Sequence, residues 1–273
     1  LLGTRDLRTY SKEQIKRVRL VRRADGYYAQ FCIDIDIDCT EDLTPTGKTI
    51  GLDMGLTGFY TDSTGVKVEN PRYLRKAEKQ LKRAQRRVSR KKKGSANRLK
   101  ARKRLARQHL KVSRQRKDFA IKTARCVGVR CRTPVQSNDL VAIEDLQVRN
   151  MVKNHHLAKS ISDASWSMFR AWLEYYGKVM GRIVIAMAPH YTSQECSSCH
   201  VIVKKSLSTR THTCQCGCVL DRDHNAALNI LAAGLKSTKG HWETSTFGES
   251  IAPTTEAQSD VASELVEPGI PRL

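Results

Sequence analysis

Alternating apolar and polar positions mark the start of the chain. The alternation runs over Ile15 to Arg22, pauses at Asp25-Gly26 and resumes through Ile37, a pattern that predicts a β-hairpin. Asp34, Asp36 and Asp38 share one face of the second strand while Ile33, Ile35 and Ile37 take the other, so the acid row reads as the solvent side of an amphipathic strand. The apolar start of "KTIGLDMGLTGFYTDSTGVKVENP" predicts a strand, a turn and a second strand over Val66 to Val68. The period then changes. Leu74, Ala77, Leu81, Ala84 and Val88 fall at steps of three and four, and after the breaker "KKKGSAN" Leu105, Val112 and Phe119 recur every seven, with Leu99, Ala106 and Leu110 beside them. Two antiparallel helices are predicted. Further on come an apolar strand over Leu140 to Ile143, a helix presenting Phe169, Trp172, Leu173, Tyr176 and Met180 on one core face, a buried strand in "RIVIAMAP" and a helix in "HNAALNILAAG".

Three carboxylates break this pattern. Asp53 sits within an apolar strand start between Gly51 and Gly55, where burial is costly without a cation or hydrogen-bond donors, and the glycines would let a phosphate backbone approach. Glu144 ends the strand that begins at Leu140. Asp223 falls in the first turn of the last helix, an ordinary place for an acid taken alone. Together Asp53, Glu144 and Asp223 have the strand, strand, helix placement of the RNase H-like nuclease fold. In that fold three acids in one cleft hold two magnesium or manganese ions about 4 Å apart and support in-line attack on a phosphodiester.

Nine cysteines, an odd number crowded toward Cys196–Cys218, fit thiolate ligation better than a disulfide framework; Cys32, Cys39, Cys126 and Cys131 are scattered and read as inert thiols. Cys196 and Cys199 form a two-residue-spaced knuckle, and after fourteen intervening residues comes "CQCGC". Two cysteine pairs across such a loop predict a structural zinc ribbon. Cys214 and Cys216 are separated by one residue rather than two, so Cys218 is an alternative fourth ligand; His200 and His212 read as bystanders.

Charge changes the picture most. The net charge is +22, and the segment from Arg72 to Lys117 holds 22 Lys and Arg against one acid, Glu78, leaving the remainder nearly neutral. Such a concentration is the footprint of a polyanion. With the apolar stripes packed together, Arg83, Arg86, Arg87, Arg90, Arg98, Arg102 and Arg107 face outward as candidate nucleic-acid contacts, and the scarcity of interleaved aromatics favours backbone contact over base stacking. The 273 residues are 40% hydrophobic and 28% charged, enough for one sizeable core with a small satellite. No apolar run is long enough to span a bilayer and the start lacks a signal-peptide layout, so a cytoplasmic, nucleoid-associated protein is expected. Leu at position 1 points to a natural start that was removed or lies upstream.

"GLDMGLTGF", "VAIEDL", "YTSQECSSCH" and "CGCVLDRDHNAALNIL", in this order and with the basic hairpin after the first, resemble the TnpB (OrfB) family of transposon-associated proteins, relatives of type V CRISPR effectors. The resemblance covers nearly the whole chain. It implies an RNA-guided DNA endonuclease, with guide RNA and target DNA as partners, a RuvC nuclease domain carrying Asp53, Glu144 and Asp223, and a ribbon ligated by Cys196, Cys199, Cys214 and Cys216. Family ribbons usually space both knuckles by two, and most of the family's N-terminal region is absent, its final strands remaining as residues 1–47.

The expected architecture is therefore α/β: an RNase H-like (RuvC) mixed sheet over 48–190 with a basic helical hairpin inserted at 72–117, a zinc ribbon over 191–218, a final helix over 219–235, a disordered tail over 236–273 and the wedge-domain remnant at the start. Two other functions are compatible with parts of the pattern. A non-cleaving nucleic-acid-binding protein or regulator would need no carboxylate triad. A cut-and-paste transposase would normally close its triad with Glu, and Asp223 beside a ribbon argues against it.

Overall fold

The structure is a computed structural model and describes residues 7–34, 46–128, 138–206 and 209–242. Strands β1 (Ile15–Arg22) and β2 (Tyr27–Ile33) form the expected antiparallel ribbon about the Asp25-Gly26 turn. Asp34 is exposed and pairs with Lys16 at 3.4 Å, as a solvent-face acid should; Ile35, Asp36, Ile37, Asp38 and Cys39 lie outside the described residues.

Three antiparallel strands follow: β3 (Thr49–Met54), β4 (Gly58–Asp62) and β5 (Lys67–Glu69). The sequence pattern anticipates one strand after β3, at Val66 to Val68. The structure inserts β4 between them, because Phe59 to Asp62 is buried throughout and so shows no alternation to reveal it.

Helices α1 (Tyr73–Ser89) and α2 (Ala96–Gly128) are the basic hairpin, joined through a turn in which Gly94 adopts φ +82°. Leu81, Val88 and Val112 are buried between them, but Leu99 is 52% exposed. Instead of ending near Lys117, α2 runs on for about three more turns to Gly128, about 50 Å in all. Its second half brings Phe119, Ala120 and Ala124 under the sheet, where Phe119 meets Phe59 edge-on at 4.9 Å. The hairpin is thus an extension of a core helix. At its root, α1 has no side-chain cap of its own; Asp163 accepts the backbone N–H of Leu74 at 2.8 Å and of Arg75 at 3.2 Å.

After β6 (Leu140–Glu144) come α3 (Val148–Met151), α4 (His155–Ala164) and α5 (Trp166–Val179). Helices α4 and α5 meet at Ser165, which takes a left-handed φ of 58°. Phe169 and Leu173 are fully buried, whereas Trp172 and Tyr176 are only partly so, and Met180 caps the helix. Strand β7 (Ile183–Met187) pairs parallel to β6 and forms an edge, so it is half-buried rather than enclosed.

The five-stranded mixed sheet has the order β5-β4-β3-β6-β7, with β3, β6 and β7 parallel. One face, carrying Leu52, Met54, Val141 and Ile143, packs on α2 and α5 in the main core. The short strands β8 (Thr211–Thr213) and β9 (Val219–Asp221) make a separate ribbon, and α6 (Arg222–Trp242) follows β9 directly. Residues 236–242, expected to be tail, continue this helix; 243–273 lie outside the described residues. No helix among the described residues is long and apolar enough to cross a membrane.

Candidate functional site

Side chains two apart on a strand share a face, so Gly51 goes with Asp53, and Leu140 and Ala142 go with Glu144. Helix α6 covers this face. A Cβ on Gly51 would come 2.3 Å from the Ala227 carbonyl oxygen, and one on Gly234 would come 2.7 Å from the Ala142 Cβ. Gly51 is therefore needed for helix packing, not for the approach of a phosphate backbone, and Gly55 shapes the turn into β4. The parallel register pairs Gly51 with Ala142 and Leu52 with Ile143, which puts Asp53 and Glu144 side by side at the strand ends. Asp223, in the first turn of α6, sits at the same end.

The electrostatics show the convergence. Burial, then the neighbouring charges of Glu144 and Asp223, push Asp53 up to about 8, with Arg222 opposing. Burial also raises Glu144, against a hydrogen bond from the Thr192 hydroxyl. Asp223 accepts from Arg222 at 3.2 Å and lies 3.8 Å from Arg210. Asp221 does different work: it accepts the backbone N–H of Asp223 at 3.0 Å as a helix cap and pairs with Lys67 at 2.8 Å. Although burial opposes ionisation, those contacts lower its pKa. Three acids thus bear on one another in a partly buried cleft, with Arg222 and Arg210 beside Asp223, but their oxygens are not drawn as close together as the cysteine sulfurs.

Beside it, Cys196, Cys199, Cys214 and Cys216 place their sulfurs within 4.8 Å of one another, the group of His, Cys, Asp or Glu side chains drawn that close among the described residues. Cys196 and Cys216 sulfurs are 3.7 Å apart and those of Cys199 and Cys214 3.5 Å. A tetrahedral ion bonded to sulfur at 2.3 Å requires about 3.8 Å. Cys218 is outside the group; its carbonyl instead accepts from the Cys214 N–H at 3.0 Å, closing the turn. The thiols differ in acidity. Despite burial, backbone N–H groups of Cys199 and Ser198 bring Cys196 down to about 5, whereas Cys216, although favoured by the Cys218 N–H, is pushed up to about 12 by Cys199 and Cys214. Neither histidine is among the four close ligands: His200 bonds Glu195 at 2.7 Å, whereas buried His212 contacts Lys205 and hydrogen-bonds Cys196, which helps to lower that thiol. Of the scattered cysteines, Cys32 is exposed and free, and Cys126 and Cys131 lie outside the residues whose side chains are described.

Sequence reasoning overlooked the residues that join these two centres. Asn225 is fully buried, donating to the Glu195 carbonyl at 2.7 Å and accepting from the Ser197 N–H at 3.0 Å. One turn on, Asn229 donates to the carbonyls of Thr192 and Glu195. A pair of asparagines four apart at a helix start is the available signal, and it resembles ordinary capping chemistry.

Of the seven arginines, Arg83, Arg86, Arg87, Arg90, Arg102 and Arg107 are exposed and Arg98 is half-buried. Arg107 also reaches the Ala24 carbonyl at 3.4 Å, and Arg114 pairs with Asp25 at 2.7 Å, so α2 holds the turn of the β1–β2 ribbon.

Comparison with known proteins adds identity to this geometry. Residues 30–155 match the OrfB family described as "Probable transposase", and residues 166–230 match the "Cas12f1-like, TNB domain" family. A Streptomyces pristinaespiralis protein named "Putative RNA-guided DNA endonuclease" is 41% identical over 250 residues, covering 88% of this chain and 59% of its own length. The Escherichia coli K12 protein named "Putative RNA-guided DNA endonuclease InsQ" is 31% identical over 237 residues, covering 81% and 57%. This chain thus spans under two thirds of either relative. A solved Cas12f1–sgRNA–target DNA complex aligns with 78% of this chain and 55% of its own at 16% identity and a TM-score of 0.46. A family match that contains both carboxylate-bearing strands, a second that contains the four cysteines and Asp223, and relatives aligned over 81–88% of the chain establish that it belongs to the TnpB (OrfB) family.

Proposed function

We propose that this chain is the cutting portion of an RNA-guided DNA endonuclease, with a RuvC-like, RNase H-type site formed by Asp53, Glu144 and Asp223 holding magnesium or manganese, and a zinc ribbon held by Cys196, Cys199, Cys214 and Cys216. The observation that carries the reading is the meeting of the three acids: two adjacent parallel strands end in Asp53 and Glu144 on the face covered by α6, whose first turn bears Asp223. The names of the two relatives support guide RNA and target DNA as partners.

Divalent ions held there supply a lowered pKa for the attacking water and neutralise charge on the leaving 3′ oxygen. The chain's residues prepare that environment. Burial disfavours the charged forms of Asp53 and Glu144, which a bound cation would favour. Thr192 orients Glu144, and Arg210 and Arg222 orient Asp223. The basic face of α1 and α2 holds the phosphate backbone by charge, as a rod rooted in the core. The domains read as a wedge remnant over 1–47, the nuclease core over 48–190, the ribbon over 191–218 and the closing helix over 219–235.

The test is Asp53→Ala. With guide RNA and matched DNA, the variant should lose magnesium-dependent cleavage and keep nucleic-acid binding. Undiminished cutting would remove the carboxylate site from the reading.

A further inference from the structure

A second surface, at the opposite end of the sheet, has the chemistry of a base-stacking platform. Helix α5 ends where β7 begins: a Cβ on Gly177 would come 2.7 Å from the Val184 side chain and 3.0 Å from the Arg182 carbonyl. The acids lie at the other end, since β6 pairs Leu140 with Ile183 at its start and Glu144 with Met187 at its finish. Near this far end Trp172, Tyr175 and Tyr176 form one aromatic cluster. Tyr175 meets Trp172 edge-on at 5.4 Å and Tyr176 at 5.3 Å, and Trp172 stacks on Tyr176 at 5.7 Å.

Trp172 and Tyr176 are half-buried against the core and thereby fixed, but Tyr175 is 51% exposed. Two cations from α2 lie over the cluster: Lys117 is 5.6 Å from the Trp172 ring and Arg125 is 5.9 Å from that of Tyr176. Lys178, exposed one helical turn from Tyr175, adds a third. The neighbouring acids are already engaged, Asp118 by Lys122 at 2.8 Å and Glu174 by Arg170 at 2.7 Å. A rigid aromatic surface with a surplus of positive charge at its rim suits a ligand that has both a π-face and a phosphate. A duplex hides its π-faces, whereas a single strand offers them.

We propose that the Trp172–Tyr175–Tyr176 cluster, with Lys117 and Arg125, binds unpaired nucleotides of a single strand by stacking a base on Tyr175. The interaction needs neither the carboxylates nor a divalent ion, so it stands apart from the cleavage reading. It also supplies what the basic hairpin lacks, a contact that distinguishes unpaired from paired nucleic acid.

The test measures binding of labelled oligo(dT) and oligo(rU), each about ten nucleotides, and of a duplex of equal length, to the full chain in magnesium-free buffer without chelator. Tyr175→Ala should weaken single-strand binding roughly fivefold or more and leave duplex binding unchanged, while Tyr175→Phe, which keeps the ring, should bind as the parent does. The strand more affected, dT or rU, identifies the sugar. Equal binding of both oligonucleotides by parent and Tyr175→Ala overturns the proposal. So does an alanine variant that loses only self-association, which would make the cluster a protein contact.

Discussion

Asn225, without exposure to solvent, donates to the Glu195 carbonyl at 2.7 Å while accepting from the Ser197 N–H at 3.0 Å, so the helix that carries Asp223 is bolted to the first cysteine knuckle. Removing that amide leaves the Ser197 N–H without its acceptor, while the Glu195 carbonyl keeps its second donor, Asn229. Asn225→Ala should therefore cost about 1–3 kcal/mol, seen as a lower midpoint in denaturant. The same variant should also release zinc more readily to a chelator, because the knuckle loses its support. Unchanged stability would mean that the loop repacks.

How much of this could be read in the sequence varied with the kind of interaction. Asp53 and Glu144 were legible because a carboxylate ending an apolar strand conflicts with its surroundings, and the cysteines because thiolate spacing has few other uses. Strand β4 was hidden by complete burial, which erases alternation. The break at Ser165 carries no compositional mark, since a serine at φ 58° is set by how α4 and α5 pack, not by local preference. Gly51 was noticed for the wrong reason: its missing Cβ makes room for the Ala227 carbonyl, a contact between residues 176 positions apart that no local pattern encodes. Asn225, Asn229 and Asp163 act on backbone groups of distant segments, and backbone groups are the same whatever the sequence.

The choice between Cys216 and Cys218 now has a geometric answer to test. The Cys216 sulfur is 3.7 Å from that of Cys196 and belongs to the four-sulfur group, whereas Cys218 contributes its carbonyl to the turn. Elemental analysis should find about one zinc per parent chain. Cys216→Ala should lose most of it, and Cys218→Ala should retain it. The reverse result would transfer the fourth ligand to Cys218.

Asp53 makes a further claim about pH. Its folded pKa, about 8, lies above the ordinary carboxylate value of 3.8, so the unfolded chain releases this proton more easily. The group's contribution to stability is complete below about pH 4 and is lost as pH rises through about 8. In magnesium-free buffer without chelator, so that a zinc on the cysteines is kept, thermal stability should accordingly decline across that window, and Asp53→Asn should flatten the decline. Magnesium should restore stability at the alkaline end, since a bound cation favours the charged form. A slope identical in the parent and the asparagine variant would show that Asp53 is not perturbed in this way.

The basic hairpin predicts a salt dependence. Arg83, Arg86, Arg87 and Arg102 are exposed on the paired helices, and each that contacts a phosphate releases counterions on binding. Changing all four to Gln should weaken duplex or heteroduplex affinity and reduce the slope of log K against log salt by about 0.7–0.9 for each contact removed. Stability should barely change, because the apolar seam of Leu81, Val88 and Val112 is untouched. Arg107 is omitted since it also braces the β1–β2 turn through Ala24, and its loss would mix two effects. If the slope stays at the parent value while the fold is intact, these arginines form a solvated face and nucleic acid is held elsewhere.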